Sequence, residues 1–242
     1  MPRPRVELVP WDHESEAHVQ RMVLQRKACG WGAEEVPLWK ERSGMGLKSL
    51  FWVVLADDSG DHDAMLELHL ARFPNETASL LDSAMTMNLE HRTPSEKSFA
   101  PIGHVALNKN PTPDLEPYIE ELQGDDVFWI ASLYISQALQ SKGLGRSVMA
   151  HLEELVTRAP LNGQAVALDT VQRDFQVSTL AEEKWWKPMG LPMPKVSNQD
   201  WYLRQGYEMI KVLEKIRTVV APTGEPIVIT LILLKKDLVP RR

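Results

Sequence analysis

Leu133-Tyr134-Ile135-Ser136-Gln137-Ala138-Leu139-Gln140-Ser141-Lys142-Gly143-Leu144-Gly145-Arg146 is the stretch that decides the reading of the chain. An apolar strand over 127–135 runs into a short polar turn, and the turn opens into an amphipathic helix. Leu144, Val148, Leu152 and Leu155 recur there at spacings of 4, 4 and 3, one face of a 3.6-residue period. A helix start leaves backbone N–H groups without intrahelical partners. They point outward with the positive end of the helix dipole and together bind phosphate. Glycine permits the close approach, because a side chain there would block it. The loop lacks the Gly-Lys-Ser/Thr of a Walker A motif. It also lacks the third glycine of the dinucleotide fingerprint, where Val148 stands. The plain alternative is a glycine-containing turn that binds nothing.

The rest of the composition narrows the class. With 27 Lys and Arg against 33 Asp and Glu the net charge is −6, so the chain as a whole has no cationic excess for nucleic acid. One cysteine, Cys29, excludes a disulfide framework and a cysteine zinc site. The longest apolar run, 227–234, is broken by Thr230 and is far short of the ~20 residues of a membrane helix. No apolar run follows Met1-Pro2-Arg3-Pro4-Arg5, so no signal peptide is expected and a cytoplasmic, reducing compartment is.

Along the chain, 6–9 alternates as a first strand, and Asp12 is a candidate cap for a helix over about 13–29 with Val19, Met22, Val23 and Arg26 along one side. A second helix follows over about 33–42, then a buried-type strand over 50–55. Asp57 to Asp63 is similar to a calcium loop, but its sixth position is His62 and its twelfth Leu68, so it reads as a solvated turn. Leu66, Leu68 and Leu70 alternate as a strand would, and Leu80, Leu81 and Ala84 suit a short helix. A strand over 102–107 precedes the organising strand and its helix, and Ala165-Val166-Ala167-Leu168 is a short strand of the kind covered on both faces. After an irregular stretch, a short helix begins at Ser197 or Asn198 and closes at Gly206. Two strands, 207–219 and 226–234, joined by a hairpin turn end the chain.

The second diagnostic segment is Tyr202-Leu203-Arg204-Gln205-Gly206-Tyr207. Together with Gln140-Ser141-Lys142-Gly143-Leu144-Gly145 it resembles the paired motifs of the GNAT superfamily of acyl-CoA N-acyltransferases: the Gln-x-x-Gly-x-Gly pyrophosphate loop and the late Tyr-x-x-x-Gly-Phe/Tyr. The order is right, one apolar strand lies between them, and an insertion of about 25 residues accounts for the spacing. The Asn-Gln-Asp-Trp-Tyr wording at 198–202 is similar to that of uncharacterised fungal members. The resemblance implies an α/β fold: a mixed, mostly antiparallel sheet of about seven strands with a central parallel splayed pair, flanked by helices. It implies a single domain over 1–242 with insertions at about 60–98 and 172–197.

The resemblance also implies a mechanism, in which an amine attacks the thioester of acetyl-CoA directly within a ternary complex. Phosphate would be held by the amides of Gly143, Leu144, Gly145, Arg146 and Ser147, with Gln140 and the charges of Lys142 and Arg146 beside them. The pantetheine arm would lie along Leu133, Tyr134 and Ile135, whose N–H groups also suit the oxyanion. Asn198 opens the helix that packs beside CoA. Tyr202 holds the general-acid position, since a phenol can protonate a thiolate within hydrogen-bond reach. Its plain alternative is a core aromatic beside Trp201.

The base is where the sequence departs from the pattern. Trp129 stands where many members place a glutamate or histidine, and Ala131 follows; neither takes a proton. Asp125 and Asp126 precede the strand as turn residues. Asp169, at the end of the 165–168 apolar run, is the first candidate and His104 the second, with a water chain as the alternative to both. Trp185 and Trp186 are placed to wall an acceptor pocket. The expected activity is therefore N-acetylation of a primary amine with acetyl-CoA as cosubstrate and no metal, by a monomer or homodimer with neither nucleic acid nor membrane as partner. A CoA-binding protein without catalysis is the alternative.

Overall fold

A computed structural model describes residues 6–87, 90–111, 115–119, 122, 124 and 126–239. The chain divides into two compact units, Met1–Tyr118 with Phe128–Asn162, and Ile119–Val127 with Gly163–Arg242. The fold is α/β with seven principal strands, mostly antiparallel and flanked by helices, as the resemblance implies.

The first unit carries β1 (Val6–Pro10), α1 (Glu16–Cys29), α2 (Val36–Gly44), β2 (Ser49–Leu55), α3 (His62–Arg72), β3 (Gly103–Asn108), β4 (Val127–Ile135, all but its first residue) and α4 (Leu144–Thr157). Its strands run β1-β2-β3-β4, each pair antiparallel. β2 and β3 are buried almost throughout, which is why 50–55 and 102–107 read as unbroken apolar runs rather than alternating ones. α4 packs on β1 and buries Leu144, Val148, Met149, Leu152 and Val156. The buried stripe thus ends on Val156, and Leu155 lies beside it, half-buried.

Other expectations are corrected. α1 starts at Glu16, and Asp12 does not cap it. The Asp12 carboxylate accepts instead from the Glu14 amide at 3.0 Å and the Ser83 hydroxyl at 2.7 Å. The buried face of α1 is His18, Arg21, Met22, Gln25 and Arg26, so the apolar stripe placed it about a third of a turn out. Residues 66–70 are not a strand but part of α3, in which Met65 and His69, four apart, are buried and Leu68 is exposed. Ala-Met-Leu-Glu-Leu-His-Leu is built of good helix formers, and their propensity outweighs the alternation of three leucines. Leu80–Leu81 is a two-residue strand paired with Ser98–Phe99, not a helix. Asp82 ties that region together, accepting from Arg92 at 2.6 and 2.8 Å and from Ser95.

The second unit carries β5 (Ala165–Val171), α5 (Asn198–Leu203), β6 (Glu208–Val220) and β7 (Pro226–Asp237), with strand order β5-β7-β6 and both pairs antiparallel. Residues 165–168 are fully buried, and the strand continues through Asp169 to Val171. The hairpin turn at 221–224 is present, with the Gly224 amide donating to the Ala221 carbonyl at 2.7 Å. Between β5 and α5 lie short helices at Arg173–Gln176 and Thr179–Ala181 and a π-helical turn at Glu182–Trp186.

Candidate active site

The loop after β4 is set by its backbone. The Ser136 amide donates to the Ile102 carbonyl at 2.8 Å and the Ser136 carbonyl accepts from Leu139, whose side chain is wholly buried. The Gln137 side chain reaches the Ala28 carbonyl at 2.7 Å and fastens the loop to the end of α1. Ser141 (φ 65°) and Gly143 (φ 85°) then take left-handed conformations that turn the chain into α4. A Cβ placed on Gly143 meets nothing within 4 Å, so the space beside the helix start is open. Ser141, Lys142, Gly143 and Arg146 are exposed around it.

The first helical hydrogen bond runs from the Ser147 amide to the Gly143 carbonyl at 3.1 Å. The amides of Gly143, Leu144, Gly145 and Arg146 therefore precede the helical ladder and are the donors this terminus offers. Ser147 was expected among them, but its amide is engaged within the helix and its hydroxyl leans on the same carbonyl at 3.4 Å. The Gln140 side chain folds back toward the Ile135 carbonyl at 3.5 Å.

One turn upstream, β4 carries a bulge. His104 faces Tyr134 and Ala106 faces Ala131, so two steps on β3 oppose three on β4, and Ser132 takes φ 54°. Such a bulge interrupts the ladder and re-aims the strand. It falls immediately before Leu133, Tyr134 and Ile135, the segment to which the resemblance gives the pantetheine arm. Trp129 and Ala131 lie on its other side, Trp129 buried opposite Asn108.

Behind Tyr134 the first unit buries an unusual density of polar groups. His104 is fully buried. Its Nδ1–H donates to Gln25 Oε1 at 2.9 Å, and its Nε2 accepts from Arg26 at 3.4 Å. That assignment follows from Gln25, whose amide nitrogen is spent on Glu76 at 2.9 Å and the Pro101 carbonyl at 3.0 Å, which leaves its oxygen for the ring. Burial drives the His104 pKa well below the usual value, and the charges of Arg26 and Lys48 push the same way. An imidazole with both nitrogens engaged and a cation on its lone pair does not accept a proton, so the second candidate base is withdrawn.

From Glu76 the chain of contacts continues to His69 at 3.5 Å and from His69 Nδ1 to the Ser136 hydroxyl at 2.8 Å, just where the loop begins. On the other side Arg26 and Lys48 both lie over the Trp39 ring, at 5.0 and 4.4 Å from its centroid. Lys48 is buried, and desolvation, with Arg26 second, brings its pKa down to about 7. Nothing in the sequence marked Lys48, Gln25, His69 or Glu76, since each sits alone among residues of another pattern.

The second unit holds the other predicted residues. The side chain of Ser197 caps α5, accepting from the Asp200 amide at 3.0 Å. Asn198 is exposed on the first turn, its amide bound to Gln176 at 2.7 Å. Tyr202 is half-buried between the rings of Trp201 (4.8 Å) and Tyr207 (5.6 Å). Burial raises its phenol above the ordinary value, and the Asp169 carboxylate adds to the rise. The phenol thus stays protonated across the physiological range. Asp169 lies within β5 rather than at its end, and Arg217 reaches it at 3.3 Å. Trp185 is buried, and the half-buried Trp186 donates its indole N–H to the Gln176 carbonyl at 3.0 Å. Asp125 lies outside the described residues. Among those residues no group of three or more His, Cys, Asp or Glu is arranged to hold a metal ion, and no helix is long and apolar enough to cross a membrane.

Residues 62–179 match the model of the acetyltransferase (GNAT) family, a stretch that includes the 140–145 loop and ends before the 202–207 segment. Solved structures agree in fold. An aminoglycoside 6'-N-acetyltransferase complexed with coenzyme A is similar with a TM-score of 0.50 and 13% identity, over 98% of this chain and 99% of that one. A spermidine N-acetyltransferase SpeG chimera from Vibrio cholerae and hSSAT gives 0.51 and 11%, over 97% and 96%. NAA60 from Arabidopsis thaliana with a bisubstrate analogue gives 0.50 and 10%, over 96% and 97%. No curated protein matches the chain in sequence.

Proposed function

We propose that the protein is an N-acetyltransferase that moves an acetyl group from acetyl-CoA to a primary amine by direct attack. The observation that carries this is the start of α4: four amides, 143–146, ahead of the helical ladder, beside open space at Gly143 and one short turn after the β4 bulge. The donor set fits a pyrophosphate, because N–H groups and the helix dipole both favour an anion there. Lys142 and Arg146, both exposed at the rim, add positive charge.

In this reading the backbone of Leu133 to Ile135 holds the arm and offers an N–H to the oxyanion as the thioester carbon becomes tetrahedral. The neutral amine forms the new C–N bond while the C–S bond breaks. Its surplus proton passes to Asp169, directly or through water, and the Tyr202 hydroxyl protonates the departing thiolate. Burial and the Asp169 charge raise the Tyr202 pKa, so the phenol is protonated at neutral pH. Asn198, on the first turn of α5, is the further residue this reading assigns to CoA. A soluble cytoplasmic enzyme of one functional domain is part of the same reading.

A thermal-shift comparison of acetyl-CoA, ATP and NAD tests it first. Stabilisation by acetyl-CoA alone supports the assignment, and stabilisation by ATP or NAD instead moves the protein to another phosphate-binding class. Acetyl-CoA turnover with a panel of amines then separates an enzyme from a CoA-binding module.

A further inference from the structure

The loop after β4 begins at one wholly buried serine. The Ser136 amide is engaged by the Ile102 carbonyl and the Ser136 carbonyl by the Leu139 amide, both at 2.8 Å. The hydroxyl is the remaining tie, and it goes to His69 Nδ1 on α3 at 2.8 Å. His69 is itself buried, so no water competes for that contact. The backbone of Ser136 thus fixes the turn to the strand edge, and its side chain fixes the turn to α3.

The His69 ring is oriented from its far side. Nε2 faces the Glu76 carboxylate at 3.5 Å, near enough for charge and too far for a full hydrogen bond. Glu76 is buried and accepts from the Gln25 side-chain amide at 2.9 Å, with the charge of Arg21 facing it from the same helix. A carboxylate only accepts. A ring proton on Nε2 therefore meets an acceptor, whereas a lone pair there would face negative charge. That leaves Nδ1 to accept and the Ser136 hydroxyl to donate. A partnered polar network of this kind holds one arrangement, where an apolar contact at residue 136 would fix neither the direction nor the depth of the turn.

We infer that His69 is a positioning residue for the amides of 143–146: through the Ser136 hydroxyl, and backed by Glu76, it sets the turn from which those amides are presented. Gln137 is tied to the Ala28 carbonyl and Leu139 to the Ser136 carbonyl, so a shift at Ser136 is carried into the loop at both points. That the loop receives CoA rests on the acetyl-transfer reading; the hold of His69 on the turn does not.

The test uses the full chain and variants that divide the contacts of the ring. His69→Asn keeps a polar atom at the δ position and loses the reach toward Glu76. His69→Gln keeps that reach and loses the δ atom. Ser136→Ala removes the hydroxyl alone and is the milder change, so it carries the test should His69→Gln not fold. Acetyl-CoA affinity by calorimetry is set against Tm for each. His69→Gln and Ser136→Ala are expected to weaken acetyl-CoA at least roughly fivefold, the scale of one hydrogen bond. The double variant is expected to lose no more than the worse single one, and His69→Asn to recover most of the loss. A merely structural role lowers Tm and leaves the affinity of the folded variants unchanged, and that result overturns the proposal. So does an additive double variant, and so does a His69→Asn no better than His69→Gln. Amide hydrogen exchange without ligand is the second readout. The Leu139 amide, which donates to Ser136, is expected to lose protection in His69→Gln and Ser136→Ala relative to the amides of β2. Unchanged relative protection overturns the proposal. If the unaltered chain does not bind acetyl-CoA, the acetyl-transfer reading falls, while the hold of His69 on the turn still stands or falls on Leu139 exchange.

Discussion

Arg217 on β6 reaches Asp169 on β5 at 3.3 Å, although β7 lies between those two strands. The pair fixes the Asp169 carboxylate, whose charge in turn adds to the raised pKa of Tyr202. Asp169→Asn should therefore lower the Tyr202 pKa. The check is the phenolate absorbance on alkaline titration, taken as the difference from Tyr202→Phe. An unchanged midpoint would detach Asp169 from the tyrosine.

Tyr202→Phe removes one hydroxyl and keeps the ring between Trp201 and Tyr207. General acid catalysis contributes ~10²–10⁴-fold, so kcat should fall at least roughly tenfold with acetyl-CoA affinity nearly kept. Steady-state kinetics decides it. A loss confined to KM assigns the hydroxyl to binding, and full activity returns Tyr202 to the status of a packed aromatic.

Lys48 makes stability depend on pH. Its folded pKa, about 7, lies below that of the unfolded chain, ~10.4, so between those values the unfolded state binds more protons. Stability should rise with pH across that window, and the full penalty, of order a few kcal/mol, should be present below pH 7. Lys48→Met should stabilise the protein in denaturant melts at pH 6, with the gain shrinking by pH 10. A gain that is flat with pH would mean packing rather than charge.

Much of this was legible in the sequence because it rests on backbone chemistry. Gly143 needs a positive φ to open α4, and Ser197 three residues before Asp200 is a cap wherever a helix follows. The buried strands announced themselves as apolar runs. What escaped is the polar interior. α1 is aligned in the sequence by Val19, Met22, Val23 and Arg26, of which Met22 and Arg26 are buried, yet it also buries His18, Arg21 and Gln25 against partners as far along the chain as Ala78, Leu81 and His104. A hydrophobic stripe cannot point to a face held by hydrogen bonds between distant residues. Trp185 and Trp186 show the same limit, since adjacency in sequence put one in the core and left the other half-buried.

The Ser197 cap offers a test of how α5 is held. Its hydroxyl oxygen accepts from the Asp200 amide at 3.0 Å, and it donates to the Asp200 carboxylate at 2.8 Å. Ser197→Ala should cost about 1 kcal/mol in chemical denaturation. Ser197→Asp, which can restore the cap acceptor but sets two carboxylates side by side, should recover less than half of it. Full recovery would show that the carboxylate contact carries no weight.

The central claim is that CoA is held by the amides at the start of α4, and calorimetry of acetyl-CoA with Gly145→Glu tests it most directly. Glutamate in the first helical turn suits the helix dipole, so the variant should fold, which circular dichroism can verify. Its side chain puts bulk and negative charge where phosphate would sit. Binding should be lost in Gly145→Glu and present in the unaltered chain. Equal acetyl-CoA affinity in the two folded proteins would contradict the account.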